Sequence, residues 1–243
     1  GPAQTPSGVE VLGKRILESV SCKYLAAVVE FPMSDQAKRV IDEILSIFET
    51  GRLISPSAYS ACTILRDGAG ISYGKHQSTD RADSLDQVVL SYIDAGGKYA
   101  TELKAFIPLL ARDGTRVDPG NPPAEVKKLI ELLKLAGSDP VMQRAQDQVF
   151  DESYWTPAVN QASSMGLKLP LSMAVLYDTC IHSGPGGVAT IRKKFPEVPP
   201  VRGGDEKLYI TAYVKARRAW LASSSNPIVQ KTVYRMDAFT KII

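Results

Sequence analysis

Between residues 35 and 48 the apolar positions are Ala37, Val40, Ile41, Ile44, Leu45 and Phe48. That three-and-four spacing puts them on one face of a helix. Ser34 stands where a cap is needed, Asp35 lies in the first turn, and Gly51 follows the end. A second helix is predicted from near Asp83, carrying Leu85, Val88, Val89, Tyr92 and Ile93 and stopping at Gly96 and Gly97. The same spacing predicts helices over residues 99–110, 124–135, 140–150 and 205–222. The segment 171–181, LSMAVLYDTCI, is apolar nearly all round and reads as a helix through the middle of the molecule. Strand signal is sparse, with 71–73 the best candidate, and residues 112–123 and 195–204 read as loops. No internal repeat or low-complexity linker interrupts the pattern.

Composition narrows the class. The 243 residues, 44% hydrophobic and 23% charged, suit an ordinary globular protein with one large domain or two lobes around a cleft. No apolar run reaches the roughly 20 residues that span a bilayer, and no signal peptide is visible. Gly1 and Pro2 read as the scar of a tag-removing protease, so residues 1–33 are expected to hold a tag remnant and a leading helix before a single domain over 34–243. Cys22, Cys62 and Cys180 with His76 and His182 make no zinc pattern; no metal or other cofactor is expected, and the cysteines read as small buried hydrophobes. A net charge of +3, without basic clusters interleaved with aromatics, argues against nucleic acid.

Candidate chemistry lies in three carboxylates. Glu49 sits in the last turn of the first helix, where the dipole disfavours a carboxylate, and it follows the apolar Phe48. Both effects favour the protonated form, as a general acid requires; the bland alternative is a solvated glutamate at a frayed end. Asp67 opens Asp-Gly-Ala-Gly, whose bland role is an Asx turn. Asp178 falls inside the apolar 171–181 helix, where an unpaired carboxylate costs several kcal/mol. Arg192 and Arg217 are the natural partners, whether the pair is structural or functional.

Ordered blocks then accumulate. Phe48-Glu49 ends a helix, and Asp67 opens its Asp-Gly-x-Gly turn about 18 residues on. Tyr154-Trp155 precedes Pro-Ala-Val-x-Gln-Ala at 157–162, and Tyr177-Asp178 precedes Gly-Pro-Gly at 184–186. Ile-Arg-Lys at 191–193, Gly-Gly-Asp-Glu at 203–206 and Ala216-Arg217 complete the series. Over about residues 37–221 the chain resembles the chitosanases of glycoside hydrolase family 46. The resemblance implies a mainly α, two-lobed, lysozyme-like fold with a substrate cleft and a small β element near residues 64–74. It implies an inverting endo-hydrolase with Glu49 as general acid, Asp67 as general base and Ser72 helping Asp67 hold the water. It also implies that Asp83 binds substrate and that Asp178, Arg192 and Arg217 form an ion-pair network behind the catalytic carboxyls.

The departures bear on substrate. After the Asp-Gly turn the chain reads ISYGKHQSTDRAD, where chitosanases carry a longer glycine- and threonine-rich run, and Ser183 stands where they tend to carry histidine. The string Ser-Tyr-Gly-x-His-Gln resembles cell-wall lysozyme-like domains, including antibacterial effectors. Tyr73, Lys75 and His76 are accordingly expected to bind substrate; the bland reading of Lys75 is a solvated surface lysine and that of His76 a hydrogen-bonded loop residue. A pI near 8.7 with Lys75 by the cleft favours anionic peptidoglycan over cationic chitosan. The expected partner is therefore a glycan polymer, peptidoglycan first and chitosan as the alternative, with an immunity protein added if the chain is an effector. A secreted or periplasm-delivered location follows. A catalytically idle glycan-binding module is the competing class, and the joint presence of Glu49, Asp67 and Ser72 argues against it.

Overall fold

The computed structural model describes residues 33–243. The tag remnant and leading helix expected over residues 1–33, and Cys22 with them, lie outside the described residues except for Met33. The chain forms two compact units, one from the described residues up to Leu53 with Tyr154–Ile243, the other from Ile54–Ser153. Among the described residues no helix is long and apolar enough to cross a membrane.

The first unit is helical throughout. Helix α1 (Asp35–Thr50) begins where Ser34 Oγ accepts from the Ala37 amide at 3.2 Å. It ends at Gly51, whose φ of 70° lets its N–H close on the Ile47 carbonyl, so Glu49 sits in the final turn. Its core stripe ends in Phe48, edge-on to the rings of Tyr234 and Phe239 at 6.1 and 5.4 Å.

Two later helices of this unit follow the sequence pattern. The central helix is Pro170–Ser183, buried from Pro170 to Cys180, and the long helix Glu206–Ala222 is capped by Asp205. The motif residues tie these helices together. Glu206 accepts from the Lys168 and Leu169 amides and the Ser172 hydroxyl, so one helix supplies the anion that caps another. Gln161 Nε2 donates to the Pro185 carbonyl at 3.2 Å. The remaining helices, Thr156–Met165, Gly186–Arg192, Pro227–Gln230 and Tyr234–Thr240, were not predicted; three are a single turn or two, too short for a stripe to show.

The second unit sets a three-stranded antiparallel sheet against helices. Strands β1 (Cys62–Ile64), β2 (Ile71–Tyr73) and β3 (Ser78–Thr79) pair in order, with Thr63 opposite Ser72 and Ser72 opposite Thr79. Only β2 was predicted; two or three residues of β1 and β3 are too few to show alternation. The core joins Ile64, Ile71 and Tyr73 to Leu85, Val88 and Tyr92 of the helix Ser84–Asp94 and to residues of Ala124–Ala136 and Pro140–Phe150. The helix expected over 99–110 is broken into Ala100–Lys104 and Ile107–Leu110. Pro108 is the cause, since it has no N–H to donate and its ring would clash with the carbonyl four residues back. Cys62 is half-buried and Cys180 buried, and burial pushes their thiols up to about 12 and about 11. Both therefore act as small apolar groups.

Candidate active site

The first unit builds a line of alternating charges. Asp178, fully buried on the central helix, accepts from Arg217 Nη1 on one oxygen and from Arg235 Nη1 at 2.6 Å on the other. Arg235 then extends its second nitrogen to Glu49 Oε1. Burial alone would raise the Asp178 carboxyl, but Arg235 and Arg217 outweigh it and hold it below the usual carboxylate range. Burial likewise opposes the Arg235 charge, and Asp178 with Glu49 overcomes that and holds it above its ordinary value. His182 lies close by; burial first and Arg235 second push it down to about 4, so it is neutral near pH 7.

This arrangement corrects two expectations. Arg192 is exposed at the end of Gly186–Arg192 and is not a partner of Asp178. Its place is taken by Arg235, which sequence reasoning missed. The apolar setting expected for Glu49 is also absent. Successive helical residues point about 100° apart, so Phe48 turns into the core while the Glu49 carboxyl meets a guanidinium. The Glu49 side chain remains 43% exposed, against 3% for Arg235.

The second unit holds Asp67, Ser72 and Asp83. Asp67 is exposed, and its Oδ1 accepts from the Ala69 amide at 3.0 Å, an Asx turn. The backbone beneath it is pinned. Arg81 Nη2 donates to the Asp67 carbonyl at 2.6 Å and Arg116 Nε to that of Gly68 at 3.0 Å. Buried Asp80 accepts from the Thr115 amide and hydroxyl, and Thr115 Oγ1 in turn accepts from the Ile71 amide at 3.1 Å. Gly70 has a φ of 80°, and a Cβ there would fall 2.6 Å from Thr115 Oγ1. The turn needs glycine at that position. Ser72 is 8% exposed at the middle of β2. Asp83 is exposed in front of the helix Ser84–Asp94 with a φ of 57°. Burial, then the charges of Asp80, Asp83 and Asp113, raise the nearby Asp86 carboxyl to about 6.

The three residues proposed as substrate contacts from the Ser-Tyr-Gly-x-His-Gln string are placed differently. Tyr73 is fully buried and its hydroxyl donates to the Leu133 carbonyl at 2.7 Å, because the strand's alternation turns it into the core. Lys75 and His76 are not free cations. Both reach Asp147 Oδ1, at 3.1 and 2.7 Å, and their side chains are 15% and 13% exposed. A carboxylate can only accept, so His76 carries its proton on Nε2. Burial lowers the His76 pKa despite that bond. Among the described residues no group of three or more His, Cys, Asp or Glu side chains is arranged to hold a metal ion.

Comparison with known proteins places this architecture. The profile of Glycosyl hydrolase family 46 matches residues 43–240, and the chain belongs to that family; it is a glycoside hydrolase with the family's mainly helical fold. A chitosanase of Bacillus subtilis strain 168 is 28% identical over 221 residues, 86% of this chain and 78% of that protein. Two solved structures are similar. A Gynuella sunshinyii chitosanase in complex with chitotetraose is 25% identical, with a TM-score of 0.65 over 86% of this chain and 88% of that one. A mutant chitosanase from Bacillus subtilis MY002 complexed with 6 GlcN is 26% identical, with a TM-score of 0.66 over 86% and 89%.

Proposed function

We propose that the protein is an inverting endo-hydrolase of β-1,4-linked glucosamine polymers, with chitosan as its substrate. Glu49 protonates the leaving oxygen, Asp67 activates a water on the opposite face of the sugar, and Ser72 helps Asp67 hold that water. Such a mechanism requires the two carboxyls roughly 6.5–9.5 Å apart in the working enzyme. The observation that carries the role of Glu49 is the chain of ion pairs running from buried Asp178 through Arg235 to its carboxyl. Arg235 orients the acid and stabilises the carboxylate left when the proton has gone. Asp67 offers an exposed carboxylate on a turn fixed by Arg81, Arg116 and Thr115.

Two further observations support the substrate. The relatives named above are chitosanases, one of them solved with chitotetraose and one with 6 GlcN. The second unit also brings Asp80, Asp83 and Asp113 close enough to Asp86 to help raise its carboxyl, a negative field that suits the ammonium groups of chitosan. Lys75, the residue that suggested an anionic polymer, is neutralised by Asp147. A polymer of this size is met outside the cytoplasm, and we place the activity in a secreted or periplasmic protein.

A reducing-sugar assay on chitosan beside a turbidity assay on peptidoglycan sacculi tests the reading. Chitosan is expected to be cut with inversion at the new anomeric carbon, and sacculi to stay turbid. Clearing of sacculi with chitosan intact would overturn the substrate, and retention of configuration the mechanism.

A further inference from the structure

Strand β2 is held at both ends by different means. Before it, Asp80 and Thr115 fix the Ile71 amide. Beyond it the chain turns at Gly74, and there the helix Pro140–Phe150 presents two adjacent side chains. Gln146 Oε1 accepts from the Lys75 amide at 3.1 Å, while its Nε2 donates to the Tyr59 carbonyl at 2.9 Å. One amide thus bridges the chain before β1 and the chain after β2. Gly74 has a φ of 79°, and a Cβ there would fall 2.1 Å from Gln146 Oε1, so the turn lies directly on that amide.

Asp147 does with side chains what Gln146 does with backbone. Its Oδ1 accepts from Lys75 Nζ and His76 Nε2, and its Oδ2 accepts from the Tyr59 hydroxyl at 2.7 Å. The His76 ring stacks on Phe150 with centroids 4.0 Å apart, and the Lys75 ammonium lies 5.3 Å from the Tyr59 ring centre. One carboxylate therefore receives three donors from the two segments that flank the hairpin. Strands of two or three residues are too short to hold their own position in water. The grip of α-helical Gln146 and Asp147 supplies the constraint that the strand ladder lacks.

We propose that Asp147, seconded by Gln146, is a positioning residue for hydrolysis: through Lys75, His76 and Tyr59 it fixes the hairpin whose second strand carries Ser72. The inference rests on the reading above in which Ser72 helps Asp67 hold the attacking water. Asp147 does not touch substrate in this account, since its oxygens are already taken up by internal donors. It acts by keeping the Ser72 hydroxyl in register, where a misplacement of about 1 Å can cost on the order of a hundredfold in rate.

The test uses Asp147→Asn, which keeps the shape and removes the charge, assayed on soluble chitosan well below its melting temperature. The expected result is a fall in kcat of about tenfold with KM within about twofold. Lys75→Arg, which retains a cationic donor, should keep most of the activity that Lys75→Ala loses. A parental kcat in folded Asp147→Asn overturns the proposal, as does a raised KM with kcat unchanged, which would make Asp147 a binding residue. Ser72→Ala measured alongside separates the two layers. A parental kcat there removes the underlying reading of the site, whereas a loss there with a parental Asp147→Asn removes the clamp alone.

Discussion

Replacing Arg235 by alanine isolates the most consequential contact in the first unit. The side chain is 3% exposed and serves two carboxylates of unlike burial. Asp178 is fully buried and would keep Arg217 but lose the donor on its second oxygen. Removing one partner of a buried pair typically costs about 3–5 kcal/mol, because a charge is left uncompensated in a medium that cannot solvate it. The Glu49 end adds little to stability, since that carboxylate is 43% exposed and such pairs are worth about 1 kcal/mol or less. The sum predicts a melting temperature lower by on the order of 10 °C for a chain of this size. Thermal unfolding followed by circular dichroism measures it, with Arg192→Ala as control. That exposed arginine should leave the melt unchanged. Activity in Arg235→Ala, assayed at a temperature where the variant is folded, should also fall, because Glu49 loses its orienting partner. An Arg235→Ala melt within about 2 °C of the parent would show that the second Asp178 oxygen contributes far less than burial and geometry imply.

Other outcomes follow from the same geometry. Glu49→Gln and Asp67→Asn should each abolish chitosan hydrolysis while leaving the melt nearly unchanged, since both side chains are exposed; residual parental activity in either folded variant would remove that residue from the mechanism. Asp86 has its carboxyl raised to about 6, so its contribution to stability is complete below the unfolded value near 4 and is lost as pH rises through about 6. Asp86→Asn should accordingly match the parent's urea midpoint at low pH and exceed it above pH 7, and a constant offset across that range would contradict the assignment. Gly74→Ala should destabilise by about 2–5 kcal/mol in urea unfolding, combining a left-handed backbone with collision against Gln146.

What could be read in the sequence was what neighbouring residues determine. The α1 stripe, its Ser34 cap and its Gly51 stop are all local, and they place Glu49 in a final turn. The apolar 171–181 run made Asp178 conspicuous and demanded a cation. Choosing that cation was a different problem. Arg217 is 39 residues away on a well-marked helix, whereas Arg235 is 57 residues from Asp178 and 186 from Glu49. It sits on a helix of seven residues that carries no periodic signal. Arg192 was a candidate as a cation in the Ile-Arg-Lys block, and a motif position says nothing about where its side chain points. Lys75 and His76 were misjudged for the same reason, since the carboxylate that occupies them is about 70 residues on. Long-range ion pairs leave no mark on local pattern, so charge read from composition said nothing reliable about substrate.

The division of the chain has a consequence for biogenesis. The unit from Ile54 to Ser153 is one uninterrupted segment, whereas the other unit is assembled from what comes before and after it. A ribosome adding roughly 5–20 residues per second finishes the inner segment, which can fold as it emerges. Helix α1, with Glu49 in its final turn, is made earlier still, but the guanidinium partner of Glu49 is not translated until residue 235. During that interval the nascent chain exposes Phe48 of α1 without the Tyr234 and Phe239 rings that later pack on it. The helix Tyr234–Thr240 thus brings Phe239 onto α1, and the Glu49 carboxyl gains its guanidinium partner only once that later helix has been made.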